Sequence, residues 1–281
     1  MTDSIACLTP EMVRQYRLRI IPINIHFNGK IYRDGVDITA TEAYQLLEKA
    51  PDQFASSPAS VGEYLSAYRE ASANAEGILC ITLSSGLSTV YNMACVAKEE
   101  AKTELPQTLI EVLDSKTAAC GEGLIVLAAA RVAETGKDLS EVTGVAKSVS
   151  ERVGVIGIME TIRHAYRTGR IPKITAVAGS MLNIKPIFII SGGLVHIAGL
   201  ARNKEQAVKR ALTLMKKMVG AKPAHVAVAQ ADVLEEGERL KERISVEFKC
   251  VELWLTDFSA VMGYAAGSGV LAIAFYTDTE V

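Results

Sequence analysis

The 281-residue sequence lacks most of the short motifs that identify a chemistry. It contains neither G-x-G-x-x-G nor G-x-x-x-x-G-K-[ST], so nucleotide binding by those glycine-rich loops is not supported. A G-x-S-x-G nucleophile motif is also missing. The cysteines form no C-x-x-C pair and are scattered, at Cys7, Cys80, Cys95, Cys120 and Cys250. This cysteine usage predicts a reducing, cytoplasmic setting.

Clustered charges and long apolar runs are missing as well. The formal net charge is only −2, with no basic stripe, which argues against nucleic acid as a partner. No apolar run reaches 18 residues and no charged leader precedes an apolar region, so the sequence predicts neither a membrane span nor a signal peptide. The histidines lie far apart, without carboxylates at metal-ligand spacing, and no metal site is predicted. They are His26, His164, His196 and His225.

What is present is an apolar chain, 49% hydrophobic, in which strand and helix signals alternate. This order predicts an α/β domain over residues 1–150, with a parallel sheet flanked by helices on both faces. Two capping boxes, Thr39-x-x-Glu42 and Ser60-x-x-Glu63, open two of the helices. Asn28-Gly29 predicts a hairpin turn. The helix predicted at 117–135 is apolar over much of its surface, which predicts that it is well buried. The predicted strands are 19–27, 77–83 and 109–115, the helices 39–49, 60–73, 90–98, 117–135 and 140–152, and the main loop 51–58.

Residues 151–281 predict a second α/β domain, with a mixed or antiparallel sheet and helices. The glycine pair Gly192-Gly193 between two apolar runs predicts a β-hairpin. We place the domain boundary near residue 150. The other predicted strands are 153–159, 225–229, 251–255 and 270–275, the helices 161–168, 203–219 and 232–244, and the closing loop 263–269.

The stretch 84–94 is the predicted ligand site, because it joins a buried strand to the start of a helix. Free backbone N–H groups and the helix dipole favour an anion there. Ligands of parallel sheets lie at the carboxyl ends of the strands, where a loop with Ser56 and a turn with Ser88 could converge. Ser88 is equally placed to cap the helix. The residues alone leave both interpretations open.

No histidine can be assigned as a base for Ser88, and a serine without a base is a hydrogen-bonding group rather than a nucleophile. The sequence therefore favours a binding protein and predicts no catalytic residue. The alternative from another class is a small-molecule α/β enzyme that uses Ser88 with a carboxylate. Its candidate carboxylates are Asp3, Asp34 and Asp114.

Seven short segments follow one another through nearly the whole chain. They are Thr2-Asp3-Ser4, Asp34-Gly35-Val36-Asp37-Ile38, Ser56-Ser57-Pro58, Ser84-Ser85-Gly86-Leu87-Ser88, Asp114-Ser115, Gly169-Arg170-Ile171 and Lys185-Pro186. In order and spacing this set resembles the DegV family of bacterial fatty-acid-binding proteins. The resemblance implies two α/β domains with an acyl chain buried in a tunnel between them. Residues 151–281 would form the lid over that chain and the partner surface.

The resemblance also implies roles for single residues. Ser88 matches the serine whose hydroxyl binds the fatty-acid carboxylate, Ser56 lies in the loop that supplies a second hydroxyl, and Arg170 matches an arginine that serves the partner surface or orders the nearby loop. The implied ligand is a long-chain fatty acid such as palmitate, stearate or oleate, with no other cofactor. The implied partner is a separate fatty acid kinase with a dihydroxyacetone-kinase-like domain, which makes the acyl phosphate used for phospholipid synthesis. Transient contact with a membrane is part of this expectation.

The sequence departs from the family pattern at several positions. Ala55 replaces a threonine, Thr89-Val90 replaces a glycine and a threonine, and Ala265 replaces a histidine. These changes keep a further alternative open, a binding module for another amphipathic carboxylate. In addition, only Met1 precedes Thr2, so either the start is misplaced or the first strand is missing, which would leave a gap in the parallel sheet.

Overall fold

A computed structural model gives the fold and describes residues 1–170 and 184–278. Its strands are β1 (Thr2–Asp3), β2 (Ile20–Ile21), β3 (Asn24–Phe27), β4 (Lys30–Arg33), β5 (Phe54–Ser57), β6 (Gly77–Thr82), β7 (Leu109–Asp114), β8 (Gly154–Ile158), β9 (Lys185–Ser191), β10 (Leu194–Ala201), β11 (Ala224–Gln230), β12 (Cys250–Asp257) and β13 (Leu271–Thr277). Its α-helices are α1 (Pro10–Gln15), α2 (Ala40–Lys49), α3 (Val61–Ser72), α4 (Val90–Glu104), α5 (Cys120–Glu134), α6 (Leu139–Ser150), α7 (Arg163–Arg167), α8 (Lys204–Val219), α9 (Leu234–Glu247) and α10 (Ala260–Ala266).

The first sheet is parallel, as predicted. Its strand order is β2-β1-β6-β7. The expected gap in it is not there. Thr2 is paired with Ile20 on one side and with Ile81 on the other, and Ile81 N–H donates to the carbonyl oxygen of Met1. The alternative of a missing first strand is therefore wrong, because a ladder needs only backbone groups and two residues are enough to close this sheet.

Helices cover both faces of this sheet, which confirms the predicted layering. Side chains alternate along β6, so Ile78 and Cys80 belong to the core under α3 and α4. Leu79 and Ile81 belong to the core on the opposite face, where α6 packs. Both predicted capping boxes form, at the starts of α2 and α3.

Two predictions near the N-terminus are wrong in detail. The strand predicted at 19–27 is split at Pro22 into β2 and β3, which belong to different sheets. Proline cannot donate to a ladder, so the chain changes sheet there. The loop predicted at 51–58 contains β5, which is antiparallel to β3 and completes a small sheet of order β4-β3-β5. The predicted turn at Asn28-Gly29 forms the hairpin between β3 and β4.

The second sheet has six strands in the order β10-β9-β8-β13-β11-β12 and is mixed, as predicted. Only β11 and β12 are parallel among its pairs, and β9 and β10 form the hairpin predicted at Gly192-Gly193. The loop predicted at 263–269 is wrong. Most of it lies in α10, whose start is capped by Ser259 through a bond to the N–H of Met262.

Helix α5 lies between the two sheets. It packs against β6 on one side and against β11 and β13 on the other. Its residues from Cys120 to Ala129 are all buried, as predicted from its apolar surface. Strands of the first sheet end at Asp114 and those of the second begin at Gly154, while the boundary near residue 150 stays a prediction.

Candidate functional site

A cavity of about 370 Å³ lies where the end of β5, the turn between β6 and α4, helix α10 and strands β8 to β10 meet. Most of its wall is apolar, with Ile5, Ile23, Leu83, Phe188, Ile190 and Met262 among the side chains. The polar side chains that line it include Ser56, Ser57, Ser88, Thr89 and Arg170. Such a mainly apolar cavity with a few polar groups is typical of a small-molecule site.

The turn before α4 is fixed against the tip of the β9–β10 hairpin. Ser84 Oγ donates to the carbonyl oxygen of Gly193 at 2.7 Å and accepts the N–H of Gly86 at 3.2 Å. Only glycine fits at position 86, since a Cβ there would lie 2.8 Å from Gly193 O. This close approach joins the two halves of the chain directly beside the cavity.

Ser88 does not cap the helix, so that interpretation is wrong. Helix α4 begins at Val90 and its N-cap residue is Thr89, which makes no side-chain capping bond. Ser88 Oγ accepts the N–H of Val90 at 3.4 Å, a long and weak contact, and lines the cavity. The first-turn N–H groups of α4 have no intrahelical acceptor, and their partial positive charge favours an anion at this point.

Ser56 lies on β5 opposite Ile25 and also lines the cavity. Its neighbour Ser57 is engaged with His26, whose Nε2 is 2.8 Å from Ser57 Oγ. By contrast, Ser56 Oγ has no hydrogen-bond partner within residues 1–170 and 184–278. The structure thus brings the two predicted serines to one cavity and leaves the Ser56 hydroxyl available, while their role as carboxylate ligands stays a prediction.

Arg170 lies at the boundary between this cavity and a second hollow of about 440 Å³. Both are lined by Arg170 and Leu87, and the second also by Gly86 and Leu194. Arg170 donates from Nη1 to the carbonyl oxygen of Thr168 at 2.9 Å. Arg170 thus contributes to the walls of both hollows, while its role at a partner surface or in ordering the nearby loop stays a prediction. Ile171 of the predicted Gly-Arg-Ile segment lies outside the described residues.

The carboxylates of the enzyme alternative have other partners. Asp3 accepts the N–H groups of Ile5 and Leu83, and Asp34 accepts Ser4 Oγ and the N–H of Ala260. Asp114 is hydrogen-bonded to Ser85 and Lys116. In the parts of the chain that the structure describes, no carboxylate or imidazole lies within hydrogen-bond distance of Ser88 Oγ. The geometry therefore gives Ser88 no general base.

Burial changes the acidity of these groups. It raises the pKa of Asp3 to about 7, and it also raises the pKa of Asp34. For Asp114 burial acts in the same direction, but hydrogen bonds from Lys116 and Ser85 outweigh it and lower its pKa. Asp3 and Asp34 thus hold backbone and side-chain donors around the cavity wall rather than acting on Ser88.

Sequence reasoning missed a further buried acid, Glu122 on α5. It is 0% exposed, its Oε1 accepts Thr2 Oγ1 at 2.8 Å, and its Oε2 has no partner among the described residues. Burial, followed by the charge of Asp3, raises its pKa well above the usual value. The single acid in the otherwise apolar stretch 120–130 was the signal that could have identified it.

Two other kinds of site were considered for the described residues. Within 1–170 and 184–278, no group of three or more histidine, cysteine, aspartate or glutamate side chains could hold a metal ion. Over the same residues, no helix has both the length and the apolar character needed to cross a membrane. Both ring nitrogens of His225 contact a carboxylate, Nδ1 that of Glu252 and Nε2 that of Asp278.

Comparisons with a family model, with curated relatives and with solved structures all identify the same family. Residues 1–278 match a family model described as "Uncharacterised protein, DegV family". A DegV domain-containing protein of Clostridium perfringens is 28% identical over 284 residues, which covers 99% of this chain and 98% of the relative.

Two solved structures share the fold over almost the whole chain. One, described as fatty acid binding of a DegV family protein from Thermus thermophilus, has a TM-score of 0.89 at 26% identity and covers 99% of this chain and 98% of that one. The other, DegV from Bacillus subtilis, described as a fatty acid binding protein, has a TM-score of 0.87 at 24% identity, with the same coverage. They confirm the predicted α/β fold.

Proposed function

Because the chain belongs to the DegV family, we propose that it is a carrier that binds one long-chain fatty acid in the cavity and presents it to a separate kinase. The observation that carries the proposal is the composition of this cavity. An apolar wall is combined with the hydroxyls of Ser56 and Ser88, the start of α4 and the guanidinium of Arg170. The fatty acid binding of the Thermus thermophilus relative supports the same ligand.

In this proposal the carboxylate accepts hydrogen bonds from Ser88 Oγ and Ser56 Oγ. Hydrogen bonds to a charged group contribute about 1.5–3 kcal/mol each. The N-terminus of α4 adds a favourable dipole, since Thr89 makes no capping bond that would compete for its N–H groups. These groups set the orientation of the ligand.

The acyl chain provides most of the affinity. Burying a methylene contributes about 0.8 kcal/mol, so a chain as long as that of palmitate, stearate or oleate outweighs the head group. The wall offers the apolar surface for it, from Ile5, Ile23 and Leu83 on one side and Phe188 and Ile190 on the other. Side chains from both halves of the chain form this wall, so the ligand is enclosed between the two halves.

In this proposal the partner catalyses the phosphorylation of the acid. A fatty acid kinase with a dihydroxyacetone-kinase-like domain would phosphorylate the bound acid, and the carrier would act without a catalytic residue of its own. Among the described residues, no carboxylate or imidazole lies within hydrogen-bond distance of Ser88 Oγ, in keeping with that assignment. Arg170, between the cavity and the outer hollow, is the residue placed to contact the kinase. In this proposal the delivery of the acid includes transient contact with a membrane.

Native mass spectrometry tests the binding step. We expect the purified protein to carry one acyl ligand, or to take up one palmitate or oleate per chain after removal of lipid. A chain that carries no ligand and takes up neither acid, while remaining folded by circular dichroism, would rule the carrier function out.

The variant Arg170→Ala tests fatty acid binding separately from acyl-phosphate formation by the kinase. We expect fatty acid affinity within about twofold of that of the unaltered protein, because in this proposal Ser88 and Ser56, and not Arg170, bind the carboxylate. Acyl-phosphate formation with the kinase should fall at least tenfold, because the cation at the boundary is lost.

Arg163→Ala is the matched control, since it removes the same charge from the exposed surface of α7 without touching the cavity. Full acyl-phosphate formation by Arg170→Ala would refute the assignment of this residue.

A second candidate is a binding module for a different amphipathic carboxylate. The observation that favours it is that Thr89 and Ala265, two of the positions that depart from the family pattern, both line the cavity. Competition of oleate with bile acids and aromatic carboxylates would separate the two. Displacement of oleate at equimolar competitor supports the second candidate.

A further inference from the structure

Helix α10 belongs to the second half of the chain but packs against the first half. It follows β12 and precedes β13, both strands of the six-stranded sheet. Its residues Ala260 and Val261 lie in a core whose other buried members, among the described residues, all come from residues 5–118. The residues of α10 that line the cavity are Val261, Met262, Tyr264, Ala265 and Ala266. The position of this part of the wall therefore depends on how α10 is attached to the first half.

One attachment is the carboxylate of Asp34, which follows β4 and is 3% exposed. Its Oδ1 accepts the N–H of Ala260 at 3.1 Å, at the start of α10. Its Oδ2 accepts Ser4 Oγ at 2.8 Å, and Ser4 Oγ in turn accepts the N–H of Ile23 at 3.2 Å. Since Ile23 also lines the cavity, one buried carboxylate joins two parts of the wall that come from different halves of the chain.

The second attachment is Tyr44 on α2. Its hydroxyl donates to the carbonyl oxygen of Phe258 at 2.8 Å, and the carbonyl oxygen of Ser259 lies 3.3 Å away. Its ring lies against Gly263 of α10, where a Cβ would be 1.7 Å from the ring, so only glycine fits there. Neither Tyr44 nor Asp34 is among the described residues that line the cavity.

We propose that Asp34 and Tyr44 are positioning residues, which hold α10 against the first half of the chain and so fix the part of the cavity wall that α10 forms. This inference rests on the proposed function and adds to it two residues that act on the ligand only through α10. Ordering a loose wall at the moment of binding costs free energy, so an α10 that is already held in place raises the affinity for the acid. Loss of an attachment should appear mainly as faster dissociation of the acid.

Tyr44→Phe tests the attachment with the least change in packing, because the ring stays against Gly263 and only the hydroxyl is lost. We expect the affinity for palmitate to fall about three- to tenfold, the range for loss of one hydrogen bond. In the ligand-free variant the amide hydrogens of α10 should exchange faster with solvent, while those of β6 keep their rates. Asp34→Ala should weaken binding at least as much. Asp34→Asn keeps an oxygen for the N–H of Ala260 and should restore most of the affinity.

Tyr68→Phe is the matched control for Tyr44→Phe. Tyr68 is also buried, and its hydroxyl donates to the carbonyl oxygen of Ala94 at 3.2 Å, where α3 packs on α4. Loss of this hydroxyl should lower stability but leave palmitate affinity and the exchange of α10 unchanged.

Equal losses of affinity in the two tyrosine variants, or full affinity in Tyr44→Phe, would overturn the positioning role. Unchanged exchange of α10 in ligand-free Tyr44→Phe would overturn it as well, without reference to any ligand. Absence of fatty acid binding by the unaltered protein would overturn the carrier function instead, so the two failures are distinguishable.

Discussion

Ser88→Ala is expected to weaken fatty acid binding by about 1–3 kcal/mol, roughly 5- to 150-fold, and to leave the melting temperature unchanged. The reason is that Ser88 lines the cavity while Thr89 is the N-cap of α4. Loss of the hydroxyl removes a charge-assisted hydrogen bond to the carboxylate and costs the helix only the 3.4 Å contact with Val90. Titration calorimetry with palmitate, together with thermal unfolding of the ligand-free protein, measures both quantities.

Ser85→Ala is the matched control for this variant. Ser85 belongs to the same turn, but its hydroxyl is bound to Asp114 and it does not line the cavity. Its loss should leave palmitate affinity unchanged. If Ser88→Ala kept full affinity and lost thermal stability, the Ser88 hydroxyl would serve the contact with the N–H of Val90 and not the carboxylate.

Glu122→Gln is expected to stabilise the protein, and by more at higher pH. Burial and the nearby Asp3 raise the pKa of Glu122 in the folded state, so its neutral form is the favoured one. The stability of the unaltered protein is then fully present below the pKa of glutamate in an unfolded chain, about 4.3. It falls as pH rises toward the folded-state pKa, by up to about 1.4 kcal/mol per pH unit. Glutamine does not ionise, so the variant avoids that loss.

Urea unfolding at several pH values between 5 and 8 measures this difference. The gap between Glu122→Gln and the unaltered protein should widen with pH. Glu134→Gln, at the exposed end of the same helix, should show no such widening. Parallel curves for Glu122→Gln and the unaltered protein across this range would mean that Glu122 is held ionised in the fold.

Local chemistry predicted much of this fold from the sequence. The capping boxes at Thr39 and Ser60 depend on residues three apart, and the Asn28-Gly29 and Gly192-Gly193 turns depend on adjacent residues. The burial of α5 followed from its apolar surface. The family resemblance then implied that Ser56 and Ser88 serve one site, and the structure places both of them, together with Arg170, at one cavity.

Features that depend on residues far apart in the sequence could not be predicted in this way. Whether Ser88 caps α4 depends on where the helix begins, a difference of one residue that the sequence leaves open. The short strand β1 exists because β2 and β6 offer pairing on both sides. Likewise, nothing local marks Phe188 as a wall residue, since its place follows from its pairing with Gly157.

A crystal structure of the protein with palmitate tests the central claim most directly. We expect the carboxylate oxygens within hydrogen-bond distance of Ser88 Oγ and Ser56 Oγ, and the acyl chain against Ile190 and Phe188. A carboxylate bound away from both serines, or an empty cavity at saturating palmitate, would contradict it.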